Sequence, residues 1–179
     1  MSAPAEILER AATIELLVLD VDGVLTDGSL YLGDNGVEYK AFFSRDGHGI
    51  KLLMGAGVEV AVITGRSSKV VADRMRSLGV TRVHQGSDSK RPVFDGLVED
   101  LALDRRRAAY VGDDLVDLPV MRACGLAVAV ADADPRVRQA AHWCTPSPGG
   151  RGAVREVCEL ILEGRGELEA ALAPWTGRA

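Results

Sequence analysis

Strand-sized apolar runs alternate with helix-length segments along this chain, and that alternation limits the fold more than any other feature. "IELLVLDV", "VEVAVITG", "TRVHQG", "AAYVGD" and "LAVAVAD" read as strands, the longer apolar ones buried on both faces. Between them lie "DGHGIKLLMGAG", "SSKVVADRMRSLG", "SKRPVFDGLVEDLAL", "DLPVMRACG" and "DPRVRQAA". These carry helix punctuation: a serine or aspartate before, a glycine after, and Pro92 in a first turn. "HWCT" offers a short sixth strand, and "GRGAVREVCELILEGRGELEAALA" a closing helix interrupted near Gly164. The pattern predicts an α/β fold, a doubly wound parallel sheet. One stretch differs. In "SLYLGDNGVEYKAFF", two β-prone runs flank Gly33-Asp34-Asn35-Gly36, which predicts a β-hairpin flap after the first strand.

The 179 residues fit a single domain, 1–179, with its core at about 14–162, a short N-terminal lead and a loose tail at "APWTGRA". A net charge of −5 disfavours general nucleic-acid binding. The three cysteines, with no CxxC, support neither a disulfide framework nor a zinc site. "MSAPAEILER" lacks the apolar segment of a signal peptide, and no apolar run is long enough to span a membrane. A cytoplasmic protein is expected.

In doubly wound sheets, ligands bind beyond the carboxyl ends of the strands. The first strand delivers Asp20 and Asp22 there, and the second delivers Thr64, Gly65 and Arg66. Lys90 starts the helix after the third, and the fourth delivers Gly112, Asp113 and Asp114, with Asp117 one turn on. A lone "GDD" or "TGR" is most often a plain turn or helix start. Four adjoining junctions carrying carboxylates, a hydroxyl and a lysine point to phosphoryl transfer. Clustered carboxylates repel one another unless a cation neutralises them, and hard oxygen ligands suit Mg²⁺. A carboxylate can also attack phosphorus and form an aspartyl phosphate. Metal, ammonium and hydroxyl then stabilise the charge that develops. With Gly23 turning the chain, one carboxylate faces phosphorus and the other reaches the leaving oxygen as general acid, then base. Two other readings of "DVDGVLTDG" fail. An EF-hand loop would need a ligand where Val24 stands and its glycine two positions later. A dinucleotide site would need GxGxxG where the carboxylates stand.

"DVDGVLTDG", "ITGR", Lys90 and "VGDDLVDLPVM" resemble, in order, the four motifs of the haloacid dehalogenase superfamily. "SRDGHGIKLL", "VADRMRSLGV", "VHQG", "GLAVAVADADP" and "GGRGAVREVCELIL" resemble the narrower 3-deoxy-D-manno-octulosonate 8-phosphate (KDO 8-P) phosphatase family, from about Ile14 to about Leu162. That resemblance implies a Mg²⁺-dependent phosphatase of lipopolysaccharide precursor synthesis. It implies Asp20 as nucleophile and metal ligand, and Asp22 as acid/base with its carbonyl on the metal. Thr64 and Lys90 would hold the phosphoryl group, and Asp113 would be the third metal ligand, supported by Asp114 and Asp117. Phe43, Ser44, Arg45, Asp46, Gly47, Lys51, Gly65, Arg66 and Arg74, with Asp22 and Lys90, match substrate-contacting positions.

The family pattern has Asp immediately before the motif lysine, where this chain has Ser89 in "QGSDSK". Asp88 or an acid at a sheet end is expected to compensate. Neither gap between the first three motifs has room for a cap domain. The family's remedy is a homotetramer in which the hairpin near Ser29–Phe42 shields a neighbour's site, and the hairpin's Leu30, Tyr31, Leu32, Val37, Tyr39, Phe42 and Phe43 are apolar enough for that. His48 lies near the expected substrate segment, whereas His84, His142, Trp143 and Trp175 read as structural. Arg45, Lys51, Arg66 and Arg74 exceed what a neutral sugar needs, which favours a sugar-acid phosphate, with KDO 8-P first. A nonulosonate 9-phosphate substrate and a non-catalytic module of the same superfamily are the alternatives.

Overall fold

The computed structural model describes residues 3–177. Six parallel strands form one sheet: β1 (Leu16–Leu19), β4 (Glu59–Ile63), β5 (Arg82–His84), β6 (Ala108–Gly112), β7 (Leu126–Ala129) and β8 (Trp143–Cys144). Their order is β5-β4-β1-β6-β7-β8. β1 is central, with Leu16 beside Glu59 on one side and Ala108 on the other. Leu16 to Leu19 are wholly buried, as expected of a run without alternation. Strand order reverses on either side of β1, so its carboxyl end opens onto the crevice where doubly wound sheets bind ligands.

The crossovers place the helices in two layers. One contains α1 (Ala5–Ala11), α2 (Ser44–Gly55), α7 (Ala153–Gly164) and α8 (Leu168–Thr176), packed on one another, with α3 (Lys69–Leu78) beside α2. The other contains α4 (Lys90–Asp100), α5 (Leu118–Met121) and α6 (Pro135–Ala140). Three details depart from expectation. α1 forms within the N-terminal lead and buries Ile7 and Ala11, so core packing begins before residue 14. α2 starts at Ser44, ahead of the "DGHGIKLLMGAG" segment that reads as a helix. "APWT" is not loose: it is the last turn of α8, and Trp175 meets His48 edge-on with ring centroids 4.9 Å apart. The rest of that tail, Gly177 aside, lies outside the described residues. The expected break near Gly164 is the junction of α7 and α8.

The hairpin comprises β2 (Tyr31–Leu32) and β3 (Glu38–Tyr39), a separate antiparallel pair. Leu30, Tyr31, Leu32, Val37 and Tyr39 are exposed on this chain. Phe42, where the hairpin rejoins the body, packs against the core.

A late loop supports the first one. Gly150 N–H donates to Val24 O at 2.9 Å. A Cβ on Gly149 would sit 1.7 Å from Gly23 O, so only glycine fits. Asp46, buried in the first turn of α2, accepts from Gly152 N–H at 3.3 Å and Arg155 N–H at 2.9 Å, capping α7 from outside.

Candidate active site

The β1 ladder runs one residue past the strand: Asp20 N–H donates to Val111 O at 3.2 Å. This fixes the Asp20 side chain at the sheet edge, 5 % exposed. The chain then turns at Gly23, φ +96°, where a Cβ would lie 2.1 Å from Asp113 Oδ2. Glycine is required for this turn to approach the carboxylate beyond β6.

Lys90 enters from the first residue of α4. Its Nζ is 2.8 Å from Asp20 Oδ1 and 2.7 Å from Asp117 Oδ1. Asp117 Oδ1 also accepts the Tyr110 hydroxyl at 2.7 Å. Its Oδ2 accepts Asp113 N–H at 3.0 Å and Asp114 N–H at 3.2 Å. Four donors fill what a carboxylate can accept, so Asp117 is a bracket for Lys90 and the β6 turn. Asp114 completes that turn as a cap, accepting from Leu115 N–H at 2.7 Å. The lysine lacking its preceding aspartate is therefore held by a sheet-end acid, Asp117, together with Asp20. Asp88 lines the same cleft but makes none of these ion pairs.

Burial, with Asp117 close by, pushes the Asp20 carboxyl up to about 6 despite Lys90. Burial, then Asp20 and Asp117, pushes Asp113 up to about 8. Burial works against the Lys90 charge, but Asp20 and Asp117 outweigh it and raise its pKa. Oxygens of Asp20, Asp113 and Asp117 lie within 4.8 Å of one another. Asp113 Oδ1 is buried and has no hydrogen-bond partner. With Asp117 saturated, Asp113 and the Asp20 oxygen not held by Lys90 keep the capacity to take a cation. A divalent ion fits this donor set: hard oxygens, surplus negative charge and an orphaned acceptor.

Asp20, Asp22, Thr64, Gly65, Arg66, Lys90, Asp113 and Asp114 line one cleft with Ser87, Asp88 and Val116. The structure does not bring the other expected substrate residues into this chain's cleft. Ser44, at the start of α2, is not among its lining residues. Phe43 and Arg45 line a separate groove with His48 and Arg155, and the Arg45 guanidinium sits 5.9 Å over the Phe43 ring. Lys51 faces α8 along a groove with Trp175. Asp46 is turned inward onto α7, as described. Arg74 covers Gly47, where a Cβ would meet its guanidinium at 2.3 Å, and lies 5.9 Å over the Phe42 ring. The cause is helical geometry: residues along α2 and α3 point around a cylinder, and only part of that surface faces the strand ends. His48 contacts Arg155, with Nδ1 3.2 Å from the guanidinium, and is likewise outside the cleft. His142 Nδ1 accepts Ala127 N–H at 2.9 Å, a structural contact.

Three contributors were not anticipated. Tyr110 is the buried partner of Asp117. Lys40 pairs with Asp22, and Glu38 with Arg66 at 2.9 Å. The available signal was alternation, since 38 and 40 share one side of an extended segment and Tyr39 the other.

The haloacid dehalogenase-like hydrolase family profile matches residues 80–157. Escherichia coli K12 3-deoxy-D-manno-octulosonate 8-phosphate phosphatase KdsC is 52% identical over 167 residues, covering 93% of this chain and 89% of that one. The crystal structure of the Yersinia pestis phosphatase of that name superposes with a TM-score of 0.92 at 48% identity, over 93% of this chain and 90% of that one. The Moraxella catarrhalis phosphatase, solved in complex with magnesium, phosphate and KDO, gives a TM-score of 0.95 at 39% identity, over 97% of this chain and 100% of that one. Extent, identity and fold agree with the four strand-end motifs: the chain belongs to the KDO 8-P phosphatase (KdsC) family of haloacid dehalogenase-like hydrolases.

Proposed function

We propose that this chain is a Mg²⁺-dependent phosphomonoesterase that hydrolyses KDO 8-P to KDO and phosphate in the cytoplasm, in lipopolysaccharide precursor synthesis. The observation that carries it is Asp20: a buried carboxylate at the central strand end, aimed by Lys90 and facing the unpartnered Asp113 Oδ1. Asp20, Asp113 and the Asp22 carbonyl would hold the Mg²⁺, which when bound neutralises their charge and that of the phosphoryl oxygens. An Asp20 carboxylate oxygen attacks phosphorus, the P–O bond to the sugar breaks, and the Asp22 carboxyl gives its proton to the departing oxygen. Water then attacks the aspartyl phosphate and gives a proton to Asp22, and phosphate leaves with Asp20 restored. Lys90 and Thr64 hold the phosphoryl group through both steps. Arg66, the one of the four expected cations that lines the cleft, takes the substrate carboxylate.

A phosphate-release panel tests this. KDO 8-P should give a higher kcat/KM than a neutral hexose phosphate or a nonulosonate 9-phosphate, chelation should abolish all release, and Arg66→Ala should narrow the gap. Equal rates on acidic and neutral sugars would remove the substrate assignment. No release from any ester would leave a non-catalytic module.

We also propose a homotetramer, supported by the exposed apolar hairpin and the lack of a cap domain. Light scattering should read the mass of four chains, and a monomer at working concentration would reject it.

A further inference from the structure

β3 and the residue after it present alternate side chains to opposite sides. Tyr39 faces solvent at 64 % exposure, whereas the Lys40 side chain is 1 % exposed and the Glu38 side chain 18 %. The two inward charges meet two charges of the cleft. Lys40 Nζ pairs with Asp22 Oδ1 and stands 3.6 Å from Glu38 Oε1. Glu38 Oε1 is 2.9 Å from an Arg66 terminal nitrogen, and Arg66 Nε is 3.8 Å from Asp22 Oδ2. Asp22, Lys40, Glu38 and Arg66 thus form a closed ring of alternating sign, in which each Asp22 oxygen faces its own cation.

An aspartate side chain on a turn can occupy several staggered rotamers. Here the two oxygens are bracketed from opposite sides, and that fixes the carboxylate plane. The two cations are not equivalent. The Arg66 side chain is 47 % exposed and open to an incoming anion. The Lys40 ammonium is covered, and a covered charge persists only with its partners in place. We propose that Lys40 is a positioning residue for Asp22, so that docking of the chain's own hairpin orients the acid/base carboxyl toward the leaving oxygen. This rests on the phosphatase reading above, and it gives the hairpin a role within one chain besides any between chains.

The test compares two leaving groups. A sugar alkoxide needs the Asp22 proton as it departs from phosphorus, whereas p-nitrophenolate leaves without one. Lys40→Met should lower kcat on KDO 8-P at least ~10-fold more than on p-nitrophenyl phosphate, a fraction of the full general-acid contribution. KM should move little, and Lys40→Arg should restore most of the loss. Glu38→Gln, which loosens the ring but keeps the ammonium, should show the same dependence on the ester and stands in if Lys40→Met does not fold. An equal loss on both esters would make Lys40 a structural residue, and a rise in KM alone would make it a substrate contact; either overturns the proposal. A wild type inactive on both esters removes the phosphatase reading and this proposal with it. A wild type active on both, with ester-independent losses in the variants, removes this proposal alone.

Discussion

Asp20→Asn is expected to abolish turnover and yet, in chelator above pH 6, to unfold later than the wild type. The amide keeps the shape of the side chain but cannot attack phosphorus. Its effect on stability follows from burial. The Asp20 carboxyl, pushed up to about 6 from 3.8 by burial and then Asp117, binds its proton more tightly in the folded than in the unfolded chain. The cost of ionising it is absent below pH 3.8, grows as pH rises and is complete above about 6. That displacement corresponds to roughly 3 kcal/mol. The asparagine variant lacks this cost, so urea unfolding in chelator should show its advantage widening as pH rises from 3.8 through about 6 and level above that. Near-normal phosphate release would end the aspartyl-phosphate mechanism. A variant less stable than the wild type at pH 8 would show that the ion pair with Lys90 outweighs burial.

Lys90→Met carries the largest expected loss of stability. The ammonium lies between Asp20 and Asp117, with side-chain exposures of 3 %, 8 % and 0 % respectively. Removing the cation paired with both leaves two buried carboxylates facing each other, which typically costs about 3–5 kcal/mol. Activity should fall to background, because the phosphoryl group loses its ammonium. The loss of stability should shrink at low pH, where the raised Asp20 carboxyl protonates. It should also shrink in Lys90→Met/Asp20→Asn, where one of the two charges is gone, and a double-mutant cycle measured by urea unfolding in chelator would give that coupling. A single variant as stable as the wild type at pH 8 would mean that the trio is not the electrostatic unit described.

The layered architecture was legible because the inner strands β1, β6 and β7 are continuous apolar runs, and a run that stops at a carboxylate marks a sheet edge. Asp20, Thr64, Lys90 and Asp113 could be brought together from that rule alone. Asp117 was foreseen as a support, but its full set of donors was not, because Tyr110 reads in the sequence as one more apolar strand residue. Arg45, Lys51 and Arg74, outside the cleft of the single chain, show how far charge alone reaches. Their sign was plain, but their direction depends on how α2 and α3 rotate against α7, α8 and the sheet. α1 escaped notice because one apolar pair, Ile7 and Ala11, is too short a stripe to stand out. Lys40 and Glu38 escaped because their partners lie in other junctions, and only the folded hairpin brings them within reach.

The contact of Gly149 and Gly150 with the turn after β1 has a consequence for how the chain becomes active. The turn that follows Asp20 near the start of the chain is braced by a loop more than a hundred residues later, and Asp46 ties α2 to the helix after that loop. Contacts this far apart in sequence close late, because the entropy of the intervening chain must be lost first. A polypeptide emerging from synthesis would therefore carry every residue of the cleft before it carried the brace. Catalytic competence is in this sense a property of the finished fold, and its recovery after denaturation would report the last contacts to form.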